Sequence, residues 1–164
     1  MSSKLLELEF RELSIPLPIC FVGSKTHIGV GRNLISVNVS GDIEKVEFYH
    51  AVRSICGSVP GTMPRIALAF DNGVQVIWNK GEASSRPIIC EEMLEPKTLF
   101  TRTGHLVIAA DRVCEIYKTV NRQVQFVAVI EIVSCVRLMR SRESNQFAVL
   151  TDSGDICVYH IPMR

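Results

Sequence analysis

Ile66-Ala67-Leu68-Ala69-Phe70-Asp71-Asn72-Gly73-Val74 reads as a β-strand that runs into a tight polar turn and out again. Asn-Gly supplies the positive φ values of a two-residue hairpin, and an apolar run this short, closed by turn residues, has strand length rather than helix length. The same arrangement occurs three more times. His27-Ile28-Gly29-Val30-Gly31-Arg32-Asn33 leads into Leu34-Ile35, and Leu106-Val107-Ile108-Ala109-Ala110-Asp111-Arg112 into Val113. Phe147-Ala148-Val149-Leu150-Thr151-Asp152-Ser153-Gly154-Asp155 leads into Ile156. With turns starting at Gly31, Asp71, Asp111 and Thr151, each step is 40 residues. A fixed period of this size is the mark of a repeat architecture.

Between the hairpins lie further strand-like stretches: 46–49, 52–56, 87–90, 98–101, 123–129 and 135–139. They bring each repeat to about four strands. No long helix is visible, because apolar residues alternate or run in short blocks cut by Gly, Pro, Asn and Asp; only Glu91-Glu92-Met93 has the character of a single helical turn. The chain is therefore expected to be all-β and one domain spanning 1–164, with repeats at 15–50, 51–91, 96–131 and 132–164.

The composition is compatible with a packed core and excludes disorder as the main state: 47% of residues are hydrophobic and 21% charged, with a mean hydropathy of +0.21. Eighteen Lys and Arg nearly balance seventeen Asp and Glu, so no strong overall field draws the protein to nucleic acid or an anionic surface. Lys4, Glu7 and Glu9 interrupt the apolar N-terminus, unlike a secretory signal, and no run reaches the ~20 apolar residues of a membrane span. Cys20, Cys56, Cys90, Cys114, Cys135 and Cys157 sit beside Ile or Val, without CxxC spacing, and His27, His50, His105 and His160 are scattered. These are the settings of small buried thiols, not of zinc ligands. Reduced thiols imply an intracellular protein, cytoplasmic or nuclear.

A period near 40 with four strands per unit resembles the WD-repeat class of β-propellers. Trp78-Asn79, Tyr117-Lys118 and Tyr159-His160 stand where that family favours Trp-Asp, and Gly104-His105 is similar to its Gly-His pair. The resemblance implies a four-bladed or partial β-propeller of four-stranded antiparallel blades. It also implies a non-catalytic scaffold, a subunit of a larger complex that binds a protein or peptide. The last repeat ends after its third strand, 155–161, and residues 4–12 have the strand character to complete it. Closure by that strand and an incomplete ring completed by another chain or a second copy both remain open, the latter by strand pairing.

Catalytic and cofactor chemistry finds little to stand on. There is no GxGxxG, GxxxxGK[ST] or GxSxG sequence. Glu91-Glu92 would point to opposite faces of a strand, and Asp152 with Asp155 flank a turn, which is commoner than a calcium site built from two carboxylates. His105 with Cys114 and Cys157 with His160 are the available thiol–imidazole combinations. No enzyme activity, cofactor or metal is expected. The candidate partner-binding residues are those of the recurrent turns: Arg32, Asn33, Asp71, Asn72, Arg112, Asp152 and Ser153. A second expectation, from a different class, is nucleic-acid contact through Arg102, Arg137, Arg140 and Arg142.

Overall fold

The computed structural model describes residues 17–71, 73–78, 88–89, 96–110, 112–120, 123–141 and 143–162. Every regular element among them is a β-strand, and the strands form four antiparallel sheets in chain order. Sheet I holds β1 (Ile19–Val22), β2 (Lys25–Val30), β3 (Asn33–Asn38) and β4 (Ile43–Glu47). Sheet II holds β5 (Ser54–Gly57), β6 (Arg65–Phe70), β7 (Gly73–Trp78) and β8 (Ile88–Ile89). β9 (Lys97–Phe100), β10 (His105–Ala110), β11 (Val113–Val120) and β12 (Gln123–Glu131) make sheet III. Sheet IV has three strands among the described residues: β13 (Arg137–Arg140), β14 (Gln146–Leu150) and β15 (Ile156–His160). The expected closing strand at 4–12 and the possible helical turn at Glu91-Glu92-Met93 lie outside the described residues.

Within each sheet the strands meander, and successive sheets meet through their first strands, β1 on β5, β5 on β9 and β9 on β13. Three cores fill the gaps. Leu34, Val52, Ile66, Leu68, Phe70 and Ile77 pack between sheets I and II. Ala67, Val74, Val76, Phe100, Leu106 and Ile108 pack between II and III, and Leu99, Val107, Cys114, Ile116, Phe147 and Val149 between III and IV. β6 is buried along its whole length because both its faces meet another sheet. Its uninterrupted apolar run Ile66–Phe70 is the sequence consequence. Gly57 is where β5 comes closest to β1: a Cβ there would lie 2.5 Å from Val22 Cγ2 and 3.2 Å from the Phe21 carbonyl, so a side chain would push the first two sheets apart.

The registers correct the fourth repeat. In sheet III, Phe100 pairs with Leu106 across five intervening residues; in sheet IV, Arg140 pairs with Phe147 across six. That extra residue shifts β14 by one position, so Leu106 and Ile108 correspond to Phe147 and Val149, and Ala110 to Thr151. Thr151, the residue that follows β14, therefore takes the place of Ala110, and its N–H donates across the hairpin to the Asp155 carbonyl at 2.9 Å. The fourth step of 40 is a coincidence of an insertion and a longer turn. The same registers separate the aromatic pairs. Tyr117 lies opposite Leu106 and Tyr159 opposite Phe147, whereas Trp78 lies opposite Arg65, one residue further along. Trp78-Asn79 is therefore not the structural counterpart of the other two pairs.

Candidate interaction surfaces

The recurrent turns lie on one rim, together with the linkers between sheets. The Gly31 carbonyl accepts from Val52 N–H and the Arg32 carbonyl from Phe48 N–H, each at 2.8 Å, while the Arg112 carbonyl accepts from Ile132 N–H at 2.9 Å. Side chains do the same work. Both carboxylate oxygens of Asp71 accept from the Arg53 guanidinium, at 2.9 and 3.1 Å, and this bonding holds the Asp71 carboxyl below its ordinary range. Ser134 Oγ donates to Asp152 Oδ1 at 2.9 Å and accepts from the Asp152 N–H. Arg32 pairs with Glu47 at 2.7 Å, and Ser153 bonds within its own turn to Thr151 and Asp155. Asn33 is already in β3, half-buried, rather than in the turn. Asn72 lies outside the described residues. The turn chemistry thus serves first to clamp the I–II and III–IV linkers against the sheets beside them.

The basic residues are not gathered into a groove. The Arg102 guanidinium donates to the Glu143 carbonyl at 2.8 Å, tying the β9–β10 turn to the β13–β14 loop. Thr103 Oγ1 donates to Asn145 Oδ1 in the same junction, at 2.5 Å. Arg140 reaches from β13 to the carbonyls of Gly57 in β5, 3.2 Å, and Phe100 in β9, 3.4 Å, so the first strands of sheets II, III and IV converge on one axis. Arg137 projects from the other face of β13, opposite Leu150, and Arg142 lies outside the described residues.

Thiol and imidazole groups are equally dispersed. Cys157 faces sheet III while His160 falls on the opposite face of β15. His105 pairs with Lys118 and Cys114 with Ala109, four residues apart along the hairpin, roughly 13 Å at a strand's rise. Burial pushes the Cys20 and Cys114 thiols up to about 12 and Cys56 to about 11, with the neighbouring Cys56 and Cys135 adding to the shifts of the first two. No group of three or more His, Cys, Asp or Glu among the described residues is placed to hold a metal. A cleft of about 80 Å³ between sheets I and II is lined by Lys25, His27, Ser36, Glu44, Ile66 and Trp78. Lys25 pairs with Glu44 at 3.4 Å and His27 Nδ1 with Ser36 Oγ at 2.7 Å, while the Nε1 of Trp78 and the Nε of Arg65, which also lines the cleft, have no hydrogen-bond partner. Its volume is well short of the ~300 Å³ at which small-molecule sites begin.

The open apolar surface is elsewhere, on the outer face of sheet IV. The positions that in sheet III form the buried contact with IV are Leu99, Val107, Ala109, Cys114 and Ile116. Their counterparts one sheet on are Met139, Ala148, Leu150, Ile156 and Val158, all apolar, and all on the face turned away from sheet III. Ile156 is 61% exposed and Val158 63%, with Val136 beside them at 51%. At the other end of the stack, Ile19 and Phe21 of β1 project away from sheet II and are 52% and 74% exposed. The turn residues singled out in the sequence missed this face. Its signal was Ile156-Cys157-Val158-Tyr159, a strand apolar on both sides, which is the pattern of a strand covered on both sides.

No protein-family model matches the sequence, and no curated protein matches it. Solved structures do match the fold. Virginiamycin B lyase from Staphylococcus aureus aligns over 90% of this chain with a TM-score of 0.57 and 12% identity. PorZ, a bacterial surface component of the type-IX secretion system of Porphyromonas gingivalis, aligns over 88% with a TM-score of 0.50 and 9% identity. The fold is propeller-like. This chain spans 56% of the lyase chain and 21% of the PorZ chain, and its four sheets form an open arc. At these identities the likeness is one of fold alone.

Proposed function

We propose that this chain is a non-catalytic interaction module of the propeller type, a subunit of a larger intracellular assembly, with a protein partner seated on the outer face of sheet IV. The reading rests on one observation: the five positions that make the III–IV core recur on sheet IV as Met139, Ala148, Leu150, Ile156 and Val158, and two of them are more than half exposed. A contiguous apolar sheet face costs free energy in water and is a common feature of surfaces that bind another protein. The propeller-like fold favours the same role by analogy, since its loops and outer faces can carry a partner on a rigid core. The lyase neighbour is an enzyme by its name, and a shared propeller fold does not transfer an activity.

Affinity purification of the tagged protein from its native cell tests the reading when three forms are compared. A partner held by the wild type should be lost from Val158→Glu and retained by Arg32→Ala. Retention by Val158→Glu with loss from Arg32→Ala would move the binding surface to the rim and overturn the proposal.

A further inference from the structure

Sheets I and IV carry the two halves of a single interface. Inside the arc, each sheet presents one face to its predecessor and the other to its successor, and this contact is made three times through the first strands. The face that sheet II turns toward sheet I contains Ile55, Ile66, Leu68 and Ile77. By register, their counterparts on the outer side of sheet I are Ile19, Thr26, Ile28 and Val37, with Phe21 in the place of Gly57. Sheet I therefore has an outer face patterned to receive the successor side of another sheet, and sheet IV has an outer face patterned to be that successor side. Ile19 and Phe21 are exposed, whereas Ile28 and Val37 are buried. The receiving surface accordingly centres on β1, the strand through which the internal interfaces are also made.

We infer that the occupant of sheet IV's outer face is sheet I of a second copy of this chain. The contact would run through first strands, as the packing between I and II, II and III, and III and IV does, with Ile19 and Phe21 of β1 as the receiving side chains. Such a head-to-tail contact either closes into a ring or propagates as a filament. With two copies it is made twice, sheet IV of each on sheet I of the other, and eight sheets close around the axis on which Arg140 already draws β5, β9 and β13 together. The arc covers 56% of the lyase chain it resembles, so a ring of that kind has room for further sheets beyond these four. This inference rests on the reading of sheet IV as a binding face. A monomeric protein that still loses a foreign partner on Val158→Glu would remove the second copy and leave that reading standing.

Sedimentation equilibrium of the full chain provides the test, on the wild type, Val158→Glu, Phe21→Glu, and the two variants mixed. The wild type should have twice the chain mass and each variant the single mass. The mixture should recover a double-mass species, because one variant keeps an intact sheet IV and the other an intact sheet I. Circular dichroism confirms that each variant is folded; Ile156→Lys and Ile19→Glu replace either one that is not. A single-mass wild type overturns the inference. So does a Phe21→Glu variant that remains dimeric alone, because sheet IV would then be packing on its own copy, and so does a mixture that stays monomeric.

Discussion

Two glycines with almost the same backbone conformation should respond very differently to alanine. Gly104 has φ +83° and Gly154 φ +89°, each in a turn whose first residue, Thr101 or Thr151, accepts the glycine N–H on its carbonyl. Either substitution forces an L-residue into the left-handed region, at roughly 1–2 kcal/mol. A Cβ on Gly154 meets nothing within 4 Å, whereas a Cβ on Gly104 lies 2.5 Å from Arg65 Nη2. The Arg65 guanidinium has little freedom to yield. It is 5% exposed, stacked 5.5 Å from the Trp78 ring centre and 5.0 Å from that of Phe100, and its Nη1 donates to the Met63 carbonyl at 2.7 Å. Displacing it forfeits a desolvated cation–π contact, about 1–2 kcal/mol, and strains a charged hydrogen bond of about 1.5–3 kcal/mol. Gly104→Ala should therefore cost about 1–3 kcal/mol more than Gly154→Ala, several degrees of Tm for a chain of this size. Thermal and urea melts of both variants measure the difference. In an Arg65→Met background the extra cost at position 104 should disappear. Equal destabilisation by the two alanines, or an unchanged gap in that background, would refute the role given to Arg65.

Native protein at pH 8 should alkylate slowly at Cys20, Cys56 and Cys114, whose raised pKa leaves almost no thiolate, and react promptly once denatured; rapid native labelling of Cys114, read by mass spectrometry, would contradict its burial. Burial lowers the pKa of both His27 and His105 below the ordinary 6.5, with Lys25 and Lys118 respectively adding to the effect. Because the unfolded chain binds these protons at higher pH than the folded one, the stability the neutral rings contribute is complete above about pH 6.5 and is lost as pH falls through their folded values. A His27→Gln/His105→Gln variant should show a shallower fall in urea midpoint between pH 7.5 and pH 5 than the wild type, and an identical slope would show the two rings are not the source.

The hairpins were legible in the sequence because turn residues and short apolar runs are local signals: Asp71-Asn72-Gly73 and Gly31-Arg32 mark ends of strands that the registers reproduce. The fourth hairpin was displaced by one residue because the insertion between Arg140 and Phe147 leaves no trace in composition and becomes visible only when Phe147, not Gln146, is found buried. The rim residues were recognised as turn formers, but their partners, Arg53 for Asp71 and Ser134 for Asp152, lie eighteen residues away. The arginines looked like a cluster because they are close in sequence. A strand sends Arg137 and Arg140 to opposite faces, and only the convergence of first strands tells where Arg140 ends. Sheet IV's outer face was hidden for the opposite reason: Ile156 to Tyr159 reads as interior on both sides, and which side lacks a neighbour is a property of the arc.

The central claim is that Met139, Ala148, Leu150, Ile156 and Val158 form a docking face covered in the assembled protein, and methionine oxidation reads it directly. Met139 lies on that face and Met63, 54% exposed, lies in the loop before β6. Hydroxyl-radical footprinting of the wild type under assembly conditions, beside the Ile156→Glu variant, compares the two side chains by mass spectrometry. Met139 should be protected in the wild type and oxidised in the variant while Met63 is labelled alike in both. Equal oxidation of Met139 in the two proteins would show that nothing docks on sheet IV.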